Sequence, residues 1–362
     1  MPPHGSFWRL ALGLAIGATG GTLFARLGAP LPWMIGPIVF SGIATFAGLP
    51  VSGWRTGRVA GMLVLGTALG LYFTPQAAQT VLSYLPVIVA AGATTLVIGV
   101  AASFLLARTA GVDRVTAFFC SVPGGIAEMS MIGERFGGKP LPIAVMQLLR
   151  VVTVTILIPS LLTLGGAGGH AIVAGPATLP VSAPGLVATL AFSFAVSALL
   201  HRLRFRNAWL LGPMAAGCVL GISEAGLSAV PTWLSAAGQV LIGTQIGSQF
   251  ERSLMSRMRR FIPAAMLNLA VLMAGCAAVG LLVSRLTGIA PANMILATSP
   301  GGVTEMCITA KVLGLDVPII VAFHLVRIFL VILSSPFAFR LLRAAGIMPA
   351  FPDHAPSRVP AE

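Results

Sequence analysis

A short motif that combines helix-breaking residues with one carboxylate occurs twice in this sequence. Residues 123–129 read Pro-Gly-Gly-Ile-Ala-Glu-Met, and residues 300–306 read Pro-Gly-Gly-Val-Thr-Glu-Met, 177 positions later. Both copies interrupt an apolar segment and place a glutamate, Glu128 or Glu305, three positions after the second glycine. Helix breakers and carboxylates are costly at bilayer depth. Their recurrence at one spacing therefore indicates a working site.

Each break contains one proline and two glycines: Pro123, Gly124 and Gly125 in the first copy, and Pro300, Gly301 and Gly302 in the second. The glycines are predicted to adopt positive φ and to leave backbone amides open to a ligand. The half-helix after each break would present its positive dipole end, which suits an anion or a polar solute. A simpler alternative, compatible with this one, is that Glu128 and Glu305 only cap their own helices.

Two polar pairs occupy the last apolar segment of each half of the chain. Gln147 with Arg150, and His324 with Arg327, are three residues apart and share a helix face. The two arginines and the two motif glutamates are the only charges this deep, and inserting four charges costs about 10–14 kcal/mol. Partners are therefore required. The residues are predicted either to form two structural Glu–Arg bridges or to exchange those partners for a substrate or coupling ion.

The composition is that of a polytopic membrane protein. Hydrophobic residues make up 57% of the 362 residues, charged residues only 9%, and the mean hydropathy is +0.96. Apolar runs long enough to span a bilayer recur along the chain. The net charge of +13 comes mostly from arginines in short loops, which indicates membrane topology and not nucleic-acid binding. The four cysteines lie in apolar segments without metal-ligand spacing, so neither a metal nor another cofactor is expected.

The whole chain is a tandem duplication. Trp33-Met-Ile-Gly-Pro37 parallels Trp209-Leu-Leu-Gly-Pro213, and Arg150 lies 177 residues before Arg327. We predict repeat 1 over residues 7–165, an extracytoplasmic linker over 166–183, repeat 2 over 184–344 and a disordered cytoplasmic tail over 345–362. Each repeat has six apolar segments: 8–27, 32–49, 57–75, 84–107, 114–133 and 140–164, then 184–200, 207–224, 233–250, 261–284, 291–312 and 317–340.

The charges of the loops predict that the two repeats are inverted. In the first half the basic residues are Arg9, Arg55, Arg58, Arg108, Arg114, Arg135 and Lys139; in the second they fall in 201–206, in 251–260 and at Arg340 and Arg343, which are the opposite loops. Under the positive-inside rule both termini are then cytoplasmic. Inversion needs an odd number of crossings per repeat, so one segment must dip and return. The Pro-Gly-Gly segment is the first candidate; alternatively it crosses fully and another short segment is re-entrant.

At these residues the chain resembles the AbrB-type family of bacterial inner-membrane proteins, which carry an internally duplicated domain. The resemblance rests on the two Trp-x-x-Gly-Pro segments and the two Pro-Gly-Gly-x-x-Glu-Met segments, and it covers about residues 10–345. Members are often labelled regulators or ammonia monooxygenases. The residues support neither label, because an oxygenase needs clustered metal ligands and the five histidines are scattered. The small DNA-binding regulator of similar name is a different kind of protein.

The sequence thus predicts an all-α membrane protein of two inverted repeats, each with about five transmembrane helices and one re-entrant or broken helix. Such anatomy is typical of secondary transporters. We expect a carrier of a small polar or anionic solute in the bacterial inner membrane, and not an enzyme. The alternative is a membrane-embedded regulator of gene expression that acts through a partner protein. The lipid bilayer is the other expected partner, and a homodimer is left open.

Overall fold

The fold is given by a computed structural model, which describes residues 7–167, 180–205, 207–223, 225 and 227–347. These residues form sixteen α-helices and no β-strand. Most of the predicted linker and most of the predicted tail lie outside the described residues. The all-α membrane architecture predicted from composition is confirmed.

The helices form two sets of eight in the same order. The first set is α1 (Phe7–Arg26), α2 (Pro32–Phe46), α3 (Arg55–Gly70), α4 (Pro75–Ser83), α5 (Leu85–Ala110), α6 (Arg114–Ser121), α7 (Ile126–Arg135) and α8 (Pro140–Leu164). The second set is α9 (Ala183–Arg202), α10 (Ala208–Ile222), α11 (Thr232–Gly247), α12 (Arg252–Arg257), α13 (Ile262–Thr287), α14 (Pro291–Thr298), α15 (Val303–Val312) and α16 (Val317–Ala344). Helices α5 and α13 begin 177 residues apart, as the duplication predicts.

Six helices are long and apolar enough to cross a membrane: α1, α5, α8, α9, α13 and α16. A seventh span is obtained if α3 and α4 count together, although they are bent by 86° at the break between Gly70 and Pro75. The predicted segment 57–75 is therefore wrong at its end, because Thr74 caps a new helix by accepting a hydrogen bond from the Ala77 amide. The loop predicted at 251–260 likewise contains the short helix α12.

Small residues let helices from the two sets approach closely. A Cβ on Gly70 of α3 would lie 2.8 Å from the Gly217 Cα of α10. A Cβ on Gly247 of α11 would lie 2.6 Å from the Ile38 carbonyl oxygen of α2. The two halves therefore interlock through α2–α11 and α3–α10 contacts. Close packing of this kind is how membrane helices associate where no hydrophobic driving force acts between them.

The two Pro-Gly-Gly segments are helical hairpins. In the first, the Lys139 amide donates to the Thr116 hydroxyl at 2.8 Å, and the Phe136 ring stacks on Phe119 with centroids 5.7 Å apart. In the second, the Asp316 amide donates to the Asn293 side-chain oxygen at 3.1 Å. Each contact joins the start of one arm to the end of the other. The chain therefore turns back at the break, as the first of the two predicted arrangements requires.

Replacing Asn293 with leucine is expected to destabilise the second hairpin by about 1–3 kcal/mol for each buried polar group left unpaired. Asn293 donates to the Asp316 carboxylate at 2.7 Å and also accepts from the Asp316 amide, and both residues are fully buried. The matched variant is Thr116→Val, which frees the amide of the exposed Lys139, where water can replace the lost bond. Thermal unfolding in detergent should show the larger loss for Asn293→Leu. An equal or larger loss for Thr116→Val would contradict this account.

Candidate functional site

Both hairpins break at equivalent positions. Helix α6 ends at Ser121 and α7 begins at Ile126, while α14 ends at Thr298 and α15 begins at Val303. Pro123 and Pro300 lie in the gaps; a proline has no amide donor, and its ring prevents continuation of the helix. The gap leaves the last carbonyls of the first arm and the first amides of the second arm without helical partners. These unpaired groups are what the polar residues of the site must satisfy.

The glycines provide space and not an unusual backbone conformation. None of Gly124, Gly125, Gly301 and Gly302 has a positive φ, so that prediction is wrong. Gly125 and Gly302 are extended, with φ −75° and ψ 150°. A Cβ on the first glycine of each motif would lie 2.6 or 2.7 Å from the buried methionine five positions later, Met129 or Met306. The first glycine therefore exists to admit the methionine that ends the motif.

The second glycine of each motif makes room for the glutamate. A Cβ on Gly125 would overlap the Glu128 carboxylate, and a Cβ on Gly302 would overlap that of Glu305. Each carboxylate thus folds back over the N-terminal end of its own half-helix, where the helix dipole is positive. This geometry agrees with the capping role considered from the sequence. The two hairpins differ in exposure, because Glu305 is only 7% exposed whereas Glu128 is half-buried.

The polar pair on the last helix of each repeat binds the carbonyls around the break. The Gln147 amide donates to the Phe119 and Val122 carbonyls, both at 3.0 Å. The Nε2 atom of His324 lies 3.1 Å from the Leu296 carbonyl oxygen. Phe119 and Leu296 are themselves 177 residues apart, so the duplication reproduces the acceptor as well as the side chain that binds it.

The arginines bind the same breaks one turn deeper. Arg150 donates through Nη2 to the Gly124 carbonyl at 2.7 Å. Arg327 donates through Nη2 to the Gly301 carbonyl at 2.6 Å and through Nη1 to the Ser299 carbonyl. Both arginines are 4% exposed. Each guanidinium therefore lies against the negative end of a broken helix, which partly offsets the cost of burying it.

The predicted Glu–Arg bridges are wrong in this structure. Neither arginine forms an ion pair with Glu128 or Glu305 among the residues that the structure describes. The physical reason is that the arginines bind the C-terminal side of each break, whereas the glutamates fold over the N-terminal side of the helix that follows. Hydrogen bonds to the peptide groups replace the expected pairing.

Several donors of this cluster are buried without a partner. They are Nε and Nη1 of Arg150, and Nε of Arg327. The Gln147 side-chain oxygen and Nδ1 of His324 are also unpaired. The two guanidinium groups are close enough to repel each other electrostatically, and Glu305 attracts Arg150. Two positive groups with spare N–H donors thus face a common buried region between the hairpins, an arrangement suited to an anion.

The long helices α5 and α13 cross between the two hairpins and set their separation. A Cβ on Gly99 would lie 3.2 Å from the Ser121 carbonyl at the first break, and a Cβ on Gly92 would lie 3.8 Å from the Arg327 Cα. These glycines are seven residues apart on α5, which places the two clusters roughly 10 Å from each other. A small solute can therefore reach both.

Asn268 of α13 is a contact residue outside the predicted set. The sequence predicts only a helix–helix hydrogen bond for it, since its equivalent in the first half is Ala91. It donates to the Ala102 carbonyl at 3.1 Å and to the Ser121 hydroxyl at 2.9 Å, so that prediction is confirmed. Asn268 also ties the second repeat to the first break. The break contact itself had no signal in the sequence, because it depends on how α13 packs.

The family can be assigned from the matched region. Residues 33–343 match the sequence model of a family described as "Transition state regulatory protein AbrB". The chain belongs to the AbrB family. Its resemblance to the AbrB-type membrane proteins, which the two motifs indicated, is confirmed.

Two relatives of this AbrB-family chain align over nearly their whole length. The "Uncharacterized protein YhjN" of Bacillus subtilis (strain 168) is 26% identical over 356 residues, which cover 91% of this chain and 92% of the relative. The "Putative regulator AbrB" of Escherichia coli (strain K12) is 27% identical over 330 residues, which cover 90% and 92%. Both matches extend across the two hairpins, so they concern the whole membrane unit.

Proposed function

We propose that this AbrB-family protein is an inner-membrane secondary transporter of a small polar or anionic solute, bound between the two hairpin breaks. In this proposal it is a carrier and not an enzyme. The observation that supports it most is the pair of buried arginines, Arg150 and Arg327, which repel each other and retain unpaired N–H donors. A carboxylate or another small anion would satisfy those donors and balance the charge.

The energy of burying charge favours an anion over a neutral solute. Each arginine at membrane depth costs about 2.5–3.5 kcal/mol, and neither is neutralised by a glutamate ion pair in the described residues. Backbone carbonyls offset only part of this cost. An anion between Arg150 and Arg327 would also meet the positive ends of α7 and α15, which is how broken helices bind anionic groups in secondary transporters. The half-buried Glu128 would limit how many negative charges the solute carries.

Inverted halves would give this site alternating access. The arms of the first hairpin have 8 and 10 residues, and at 1.5 Å per residue they reach about 12 and 15 Å, or half of a bilayer core of about 30 Å. Hairpins that enter from opposite faces would therefore bring their breaks together near the midplane. In this arrangement both termini are cytoplasmic, as the loop charges predict.

Cysteine labelling of equivalent positions tests the inversion. Arg55→Cys and Thr232→Cys are exposed positions 177 residues apart, and we expect a membrane-impermeant maleimide to reach them from opposite faces of the membrane. Arg204→Cys and Arg257→Cys should react from the same face as Arg55→Cys, since all three lie in predicted cytoplasmic loops. Labelling of Arg55→Cys and Thr232→Cys from one face, or of Arg204→Cys and Arg257→Cys from opposite faces, would rule out inverted repeats.

Transport itself is tested by uptake into proteoliposomes. A panel of small carboxylates and inorganic anions is first screened for those that raise the thermal stability of the purified protein, because a ligand that binds only the folded state stabilises it. Uptake of the stabilising anions is then measured. Binding without uptake of any of them would contradict the proposal.

A regulator acting through a partner protein is the second candidate. The name of the Escherichia coli relative suggests regulation, and the exposed arginines Arg252 and Arg257 of α12 offer a basic surface for a partner. Recovery of a stable complex through this surface, together with no flux of any anion, would favour this function over transport.

A further inference from the structure

A second cluster of cations surrounds a cavity away from the hairpin breaks. The cavity has a volume of about 600 Å³ and lies between α7 and α16. Three arginines line it: Arg135 at the end of α7, and Arg340 and Arg343 near the end of α16. No acidic residue is found among the described residues that line it. Two helices that are some 200 positions apart in sequence thus supply cations to one cavity.

Membrane topology alone does not account for this convergence. The positive-inside rule places arginines at the cytoplasmic ends of helices, but it does not require them to meet. Like charges around one cavity repel each other, so their convergence favours an anionic occupant. Guanidinium groups bind phosphate oxygens through pairs of parallel hydrogen bonds. Arg252 and Arg257 of α12, in contrast, lie exposed and line neither this cavity nor the 580 Å³ cavity beside α11.

The surface beside the cavity indicates which anion fits. Leu333, Phe337 and Leu341 of α16 are 82%, 68% and 60% exposed and lie four residues apart, so they form one apolar stripe along the helix. Arg340 is seven residues after Leu333 and therefore lies at the end of the same stripe. In a membrane protein such a stripe faces acyl chains. A cationic cavity at the end of a lipid-facing stripe matches a phospholipid, whose charged head and apolar tails are joined in the same way.

We propose that Arg135, Arg340 and Arg343 bind the phosphate headgroup of an anionic phospholipid, with its acyl chains along Leu333, Phe337 and Leu341. Basic cavities between helices on the cytoplasmic side suit such headgroups. The bound phosphate would join α7, the second arm of the first hairpin, to α16, which carries the arginine that binds the second break. This site does not depend on the proposed transport and would exist in a regulator as well.

Purified full-length protein in detergent, titrated with lipid, tests the site. We expect cardiolipin and phosphatidylglycerol to raise the unfolding temperature and phosphatidylcholine to leave it unchanged. The double variant Arg135→Gln/Arg340→Gln should bind cardiolipin about 30-fold more weakly, given the contribution of each basic residue near an anionic lipid. The control Arg252→Gln/Arg257→Gln removes as much charge from outside the cavity and should bind like the wild type.

The outcomes separate the lipid from its competitors. Equal protection by inorganic phosphate or citrate would show that the cavity takes a soluble anion and would overturn the proposal. Equal protection by phosphatidylcholine, or equal loss of binding in both double variants, would reduce the effect to general charge or tail contacts and would also overturn it. If the first double variant does not fold, the single variant Arg340→Gln replaces it, with an expected loss of about 5-fold.

Discussion

Replacing Arg150 with glutamine is expected to lower the uptake of an anionic solute roughly 30-fold to 3000-fold, because truncating one partner of a buried charge pair costs about 2–5 kcal/mol. Arg150 has one protein acceptor, the Gly124 carbonyl, and two buried nitrogens without a partner. The substitution therefore removes solute-binding donors and a positive charge while breaking a single bond within the protein. Uptake into proteoliposomes, at matched amounts of inserted protein, measures the effect.

The lysine variant distinguishes charge from geometry. Arg150→Lys keeps the positive charge but has no planar fork of donors, so its uptake should lie between those of the wild type and Arg150→Gln. Arg257→Gln, which removes an exposed arginine of α12, is the control and should transport normally. Full uptake by Arg150→Gln would show that the buried arginine serves only to hold the first break, and the proposed site would have to be abandoned.

The sequence predicts the hairpins and their binding side chains well because a duplication repeats acceptors together with donors. Gln147 and His324 bind the carbonyls of Phe119 and Leu296, which are equivalent positions, and the offset of 177 connects them without any structure. The breaks could be located for a similar reason, since proline and glycine act on the local backbone. Local rules of this kind need no knowledge of packing.

Contacts between distant elements were beyond these rules. The pairing of Glu128 and Glu305 with the arginines was expected from charge alone, but the direction in which each side chain leaves its break decides its partner, and that direction depends on tertiary packing. The crossing of α5 at Gly99 and the contact of Asn268 with Ser121 have no local signature either. The same holds for the cavity arginines, which appear in the sequence only as two separate loop charges.

Replacing Arg327 with methionine is expected to abolish uptake and, unlike the corresponding change at Arg150, to lower thermal stability clearly. Arg327 donates to two carbonyls of its break, those of Ser299 and Gly301, whereas Arg150 donates to one. Each carbonyl left unpaired in a buried site costs about 1–3 kcal/mol. Arg327→Met should therefore lose about twice as much stability as Arg150→Met, because it leaves two such groups unpaired and Arg150→Met leaves one.

The relief of removing a buried charge does not reverse this order. Thermal unfolding of a membrane protein leaves its helices in the lipid or detergent, so the cost of inserting the arginine is present in both states and largely cancels. The hydrogen bonds to the break exist only in the folded state and do not cancel. Insertion of Arg327→Met should accordingly be normal in membrane fractions, while its unfolding temperature falls below that of Arg150→Met. The opposite order would mean that the second break is held by contacts other than this arginine.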